Sequence, residues 1–187
     1  MSEGLHVLYV CTGNVCRSAA AQQMLRTRTA GVSGVVVTSA GTGALEGHGV
    51  DAPTAAALAE VGVSADGHVA RWLEPEMLER ADVILTATTE HRDRVHRQAP
   101  RTMRRAFTMR EFVRLGADVP GAASPGEAVG TIREVAGQRG LVDPPQPGQD
   151  EIGDPFGAGL EAARLMVAQV GATIDETIRL LGLARAG

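Results

Sequence analysis

Two kinds of apolar pattern alternate along this chain. The first is a short unbroken run: Leu5–Val10, Val35–Ser39, Asp82–Thr86 with Val83-Ile84-Leu85 at its centre, and a weaker Arg104–Phe107. Runs this short and this apolar suit strands covered on both faces. The second is the helical stripe. Ser18–Ala30 is rich in Ala, Gln, Met, Leu and Arg and is closed by Gly31. Asp51, with Pro53 just inside, opens a helix that continues through Glu60 and stops at Gly62. Val63–Leu73 has no period, Glu74–Arg80 reads as a short helix and Thr89–Gln98 as a charged one. Thr108-x-x-Glu111 is a capping box with Phe107 and Phe112 placed as a hydrophobic staple, and its helix should end near Gly116. At the C-terminal end Leu160, Ala163, Val167, Val170, Ile174, Ile178 and Leu181 form the clearest stripe, interrupted by Gly171 as a candidate bend.

Strands alternating with helices predict a doubly wound α/β domain with a mainly parallel sheet and helices on both faces. Residues 117–150 break the pattern, being flanked by Gly, Pro and Ala. Inside them Ser124-Pro125-Gly126-Glu127 reads as a second capping box, followed by a helix with Ala128, Ile132, Val135 and Ala136 on its apolar face and Gly140 at its end. The Pro-rich exit 143–148 is loop. The expectation is one domain over 1–187, with 117–150 an extended segment that decorates the body and does not gate a site.

Charge and composition narrow the function. The net charge of −4 argues against nucleic acid as a partner, and all the basic residues are arginine. No run approaches the ~18 apolar residues of a membrane span, and Leu5–Val10 is too short for a leader, so a cytoplasmic protein is expected, with no membrane partner. The two cysteines, Cys11 and Cys16, share one loop, which excludes a disulfide framework. Neither Cys-x4-Cys nor His91 and His96, five apart, has the spacing of a zinc site, so neither metal nor cofactor is expected.

The chemistry sits at the end of the first run, in Cys11-Thr12-Gly13-Asn14-Val15-Cys16-Arg17-Ser18. A strand, a tight loop and a helix N-terminus in succession offer unpaired N–H groups and a positive dipole end to an anion. Gly13 and Asn14 accept the left-handed backbone angles that such a nest needs. Arg17 can grip two phosphate oxygens with its planar fork, Ser18 can hydrogen-bond a thiolate, and Cys11 can attack phosphorus.

These residues resemble the signature of the low-molecular-weight protein-tyrosine phosphatases. Ser39-Ala40-Gly41-Thr42, His68-Val69-Ala70-Arg71 and Asp154-Pro155 follow in that family's order, and the similarity spans roughly 1–115 and 152–185. The resemblance implies a four-stranded, flavodoxin-like sheet and hydrolysis of phosphomonoesters, protein phosphotyrosine or a small aryl phosphate, through a phosphocysteine. It makes Asp154 the proton donor and later the base, with Asp143-Pro144 as a weaker competitor, and gives Asn14, Ser18, Ser39 and His68 a supporting network. Asp154 also reads as a helix cap before Pro155. Cys16 either packs or traps an oxidised Cys11. Three departures from the family's pattern stand out: Ala19 in place of Pro, no aromatic wall at Ala44-Leu45 or after Asp154-Pro155, and the length of 117–150. The rival readings are an arsenate reductase that uses an external thiol, and a phosphate-site binding protein without turnover.

Overall fold

The computed structural model describes residues 4–184. Four strands, β1 (Leu5–Cys11), β2 (Val35–Gly41), β3 (Val83–Thr86) and β4 (Ala106–Thr108), form one sheet in the order β2-β1-β3-β4, with every pair parallel. β1 is the central rail. Its register pairs Tyr9 with Ser39 on one side and with Leu85 on the other, so its backbone is bonded along both edges.

Side chains alternate off β1 into two apolar layers. Leu5, Val7 and Tyr9 face a large core with Met24, Leu25, Leu58, Phe107, Phe112, Val167, Val170 and Ile174. Leu8 and Val10 face a smaller one with Leu78, Ile84 and Val95. The large layer holds α1 (Arg17–Arg28), α2 (Ala52–Glu60), α5 (Met109–Gly116), α6 (Ala128–Gly137) and α7 (Gly159–Leu181); α3 (Pro75–Arg80) and α4 (Thr89–Gln98) cover the other face. This is the doubly wound, four-stranded parallel sheet that the pattern predicts. The chain adds β2 on one side of β1 and then crosses to add β3 on the other. The carboxyl ends of β1 and β3 therefore frame the switch in strand order where such sheets bind ligands.

Local signals hold where a side chain enforces them. Thr108 Oγ1 accepts from Glu111 N (2.9 Å), Glu111 Oε2 accepts from Thr108 N (3.1 Å), and the Phe107 and Phe112 rings meet edge-on at 5.2 Å. The box expected at Ser124 does not form. A 3₁₀ turn at Pro125–Glu127 gives the Glu127 N–H to the Ser124 carbonyl (3.0 Å), leaving no donor for the hydroxyl, and α6 starts after it. Gly171 does not bend α7, which runs unbroken. A Cβ there would lie 3.1 Å from Met24 Cε, so the glycine lets α7 lie close on α1.

The 117–150 segment packs on the body. Ala128, Ile132 and Val135 enter the large core. Arg139, just past α6, spans Glu111 Oε1 (3.0 Å), Met103 O and Ala106 O (both 2.6 Å), and lies 4.3 Å over the Phe107 ring. Such a clamp, with all three donors on fixed acceptors, holds the added helix to the end of the sheet. No helix among the described residues is long and apolar enough to cross a membrane.

Candidate active site

The loop after β1 turns its backbone inside out. Every carbonyl from Cys11 to Cys16 is bonded away from the loop: to Thr42 N, Gly43 N, Leu45 N, His68 Nε2, Asp51 N and Ala20 N in that order, at 2.6–3.0 Å. The N–H groups of Thr12–Cys16 donate to nothing among the described residues. A peptide whose oxygens are all tied outward presents its N–H edge inward, and five such edges in a row form an anion cradle. The neighbours crowd in to achieve this: a Cβ on Gly41 would lie 2.3 Å from the Thr12 oxygen.

Asn14 is the pin. It has the only positive φ outside glycine among the described residues, 56°, a conformation that asparagine tolerates. Its Oδ1 accepts Arg71 N (3.0 Å) and its Nδ2 donates to Ser39 Oγ (2.8 Å) and Ser18 Oγ (2.9 Å). Because Asn14 donates to the Ser18 oxygen, the Ser18 hydroxyl proton is left for Cys11 Sγ, 2.9 Å away. His68 Nε2 meets the Asn14 carbonyl at 2.6 Å, and burial holds this imidazole below its ordinary pKa. The structure thus brings Asn14, Ser18, Ser39 and His68 together around the loop.

Arg17 opens α1 and is 4% exposed. Its Nη2 donates to Asp154 Oδ2 (2.7 Å), its Nη1 to Ile152 O (3.3 Å), and its Nε is buried with no acceptor among the described residues. A buried donor left unpaired in a positive loop is what a bound oxyanion would satisfy. Asp154 does not cap a helix, since α7 begins only at Gly159; its Oδ1 accepts Phe156 N (3.2 Å), which keeps the carboxylate over the loop. Asp143 lies elsewhere: its carbonyl is tied to Arg114, and it is absent from the cleft. That cleft, about 160 Å³, is lined by Cys11, Arg17 and Asp154, with Val15, Leu45 and Phe156 at its apolar wall.

Cys16 is 3% exposed, and burial pushes its thiol up to about 12 despite a hydrogen bond with Thr54. It is a neutral packing group at the resting loop near pH 7.

His91 has no motif to announce it, and its place here was not legible in the sequence. It rides the first turn of α4, beyond the end of β3, with Nε2 2.9 Å from Thr12 Oγ1 and Nδ1 2.6 Å from Thr88 Oγ1. It buttresses the loop from across the switch point. Burial, with Arg17 nearby, lowers its pKa to about 4. A histidine neutral in the fold but ordinary when unfolded stabilises the protein above about 6.5 and loses that contribution as pH falls toward 4. Acid should therefore lower the melting temperature of the parent more steeply between pH 6.5 and 4 than that of His91→Gln. Parallel slopes for the two proteins would contradict the assignment.

Comparison with known proteins agrees with this geometry. Residues 6–123 match the family model described as low molecular weight phosphotyrosine protein phosphatase. The chain is 44% identical over 94 residues to the low molecular weight protein-tyrosine-phosphatase Etp of Escherichia coli K12, covering 50% of this chain and 62% of that one. It is 34% identical over 114 residues to the probable low molecular weight protein-tyrosine-phosphatase EpsP of Ralstonia solanacearum, covering 61% and 77%. The structure of the YwlE arginine phosphatase from Geobacillus stearothermophilus superposes with a TM-score of 0.69 at 26% identity, over 92% of this chain and 90% of that one. The match to Etp thus spans about three fifths of that protein's length.

Proposed function

The chain belongs to the low molecular weight phosphotyrosine protein phosphatase family, and we propose that it hydrolyses phosphomonoesters, protein phosphotyrosine first among them, through a phosphocysteine. The observation that carries this reading is the loop whose carbonyls all point outward while Cys11 Sγ and the buried Arg17 meet at its mouth. Cys11, as thiolate, attacks phosphorus while the bond to the leaving phenolate breaks. The N–H edges of Thr12–Cys16 and the Arg17 fork hold the equatorial oxygens, where charge collects in the transition state. The Ser18 hydroxyl stabilises the thiolate when it attacks and again when it leaves.

Asp154 supplies the proton to the phenolate oxygen and then takes one from the water that attacks phosphocysteine, releasing phosphate and the Cys11 thiolate. In the resting site Arg17 holds this carboxylate. A phosphate dianion that takes over Arg17 frees this carboxyl to face the leaving oxygen. The substrate itself thereby readies the acid.

Phosphotyrosine is preferred over phosphoarginine on the chemistry of the wall. Val15, Leu45 and Phe156 accept a flat apolar ring, whereas a guanidinium would press N–H donors against the aliphatic Val15 and Leu45, which cannot accept them. Arsenate reduction is the weaker reading: no cysteine follows Cys16 to relay a disulfide within the chain, so a reductase here would have to borrow an external thiol. A binding protein without turnover would need nothing of Asp154 beyond its ion pair with Arg17. The test is phosphate release, in chelator, from a phosphotyrosine peptide and from a phosphoarginine peptide, beside thiol oxidation in an arsenate–thiol mixture. Turnover of the first, blocked by vanadate and at least ~10-fold faster than the second, is expected. Preference for the arginine peptide, or thiol oxidation driven by arsenate, would replace this substrate assignment.

A further inference from the structure

The far end of the molecule carries a second feature that the phosphate chemistry does not use. In a parallel sheet the chain entering β4 lies opposite the Cys11 loop, which leaves β1. There, α6 and the segment before β4 enclose a groove of about 640 Å³. In a protein of net charge −4, this groove is lined by Arg101, Arg104, Arg105, Arg133 and Arg139, with Asp82 as its one acid. Asp82 is occupied, its Oδ2 accepting His6 N (2.8 Å). Arg105 is tied to the carbonyls of Leu78 and Glu79 (3.1 and 3.2 Å), and Arg139 is the clamp that fixes α6.

Arg101, Arg104 and Arg133 are different. All three are exposed, and none of their side chains has a hydrogen bond or ion pair among the described residues. Between them lie Ile132, buried, and the exposed side chains of Val129 (38%) and Met103 (55%). Three unneutralised guanidinium groups around an apolar floor repel one another and hold apolar surface in water. Both costs are relieved by a ligand carrying carboxylates and apolar side chains together.

We propose that this groove docks an acidic peptide segment of a partner protein, with apolar residues interspersed among its carboxylates. The guanidinium fork matches a carboxylate bidentately, and the Val129–Met103 floor takes side chains that a nucleic acid lacks. The chain's net charge of −4 disfavours a long polyanion further. Half of the groove is α6, which lies outside the residues 6–123 shared with the family model. The other half, Arg101–Arg105 and Asp82, lies within those residues, and the docking surface does not depend on which reaction Cys11 performs.

Fluorescence anisotropy with a labelled peptide of mixed Glu and Leu tests this on the full chain, beside a triple variant, Arg101→Glu, Arg104→Glu and Arg133→Glu. An oligothymidylate of equal charge serves as competitor. Saturable binding that weakens with salt, and that falls at least ~10-fold in the variant at unchanged melting temperature, is expected. Absence of saturable binding by the parent, equal binding by Arg101→Gln, Arg104→Gln and Arg133→Gln together, or tighter binding of the oligothymidylate would each overturn it.

Discussion

Cys11→Ser should abolish release of phosphate from an aryl phosphate, with a loss of at least ~10⁴-fold, while leaving the phosphate cradle intact. The size follows from chemistry: a serine hydroxyl holds its proton far more tightly than a thiol, Asp154 is committed as the acid in that step, and a nucleophile that acts as part of a unit takes most of the catalysis with it when removed. The survival of binding follows from geometry. The cradle is built of N–H groups held by outward-bonded carbonyls, and neither these nor Arg17 depends on the sulfur. Inorganic phosphate should therefore raise the melting temperature of parent and variant alike. Full activity in the variant would refute the nucleophile. Lost activity together with lost stabilisation by phosphate would mean that the substitution had collapsed the loop.

Asp154→Asn should lower kcat by ~10²–10⁴ on phenyl phosphate, the range expected for loss of general acid–base catalysis. The deficit should shrink on nitrophenyl phosphate, whose leaving group departs without a proton. KM should fall in the same variant, because the carboxylate that occupies Arg17 Nη2 at 2.7 Å no longer competes with the substrate. A joint fall in kcat and KM is the signature of a group that opposes ground-state binding yet serves the transition state. An equal deficit on both esters, or a raised KM, would assign Asp154 to holding Arg17 and nothing more.

Much of this was legible in the residues. The sheet could be read because its strands are unbroken apolar runs, and the Cys11–Ser18 loop because glycine, asparagine and arginine have few other reasons to stand together between a strand and a helix. Ser39, His68 and Asp154 were reachable through resemblance alone, since a strand-end serine and a loop histidine look the same in a site or out of one. What escaped was whatever depends on contacts between distant segments. Nothing near Thr88 or His91 signals that they brace Thr12, which lies 79 residues from His91 in sequence. The failed box at Ser124 and the straight passage through Gly171 are the same lesson at short range. In the first a backbone donor was already taken; in the second the missing side chain made room for Met24 rather than for a bend.

The outward-bonded loop also bears on when the site comes into being. Its carbonyls from Cys11 to Val15 are held by residues 42–51 and by His68, its far wall by His91, and its arginine by residues 152 and 154. Contacts of such long sequence separation form late, because each must first meet the entropy of closing its loop. A chain still emerging from the ribosome carries Cys11 before it has either the cradle to hold a phosphoryl group or the carboxyl to face it. Synthesis is thus its own safety catch: the thiol is made before the partners that its proposed reaction needs.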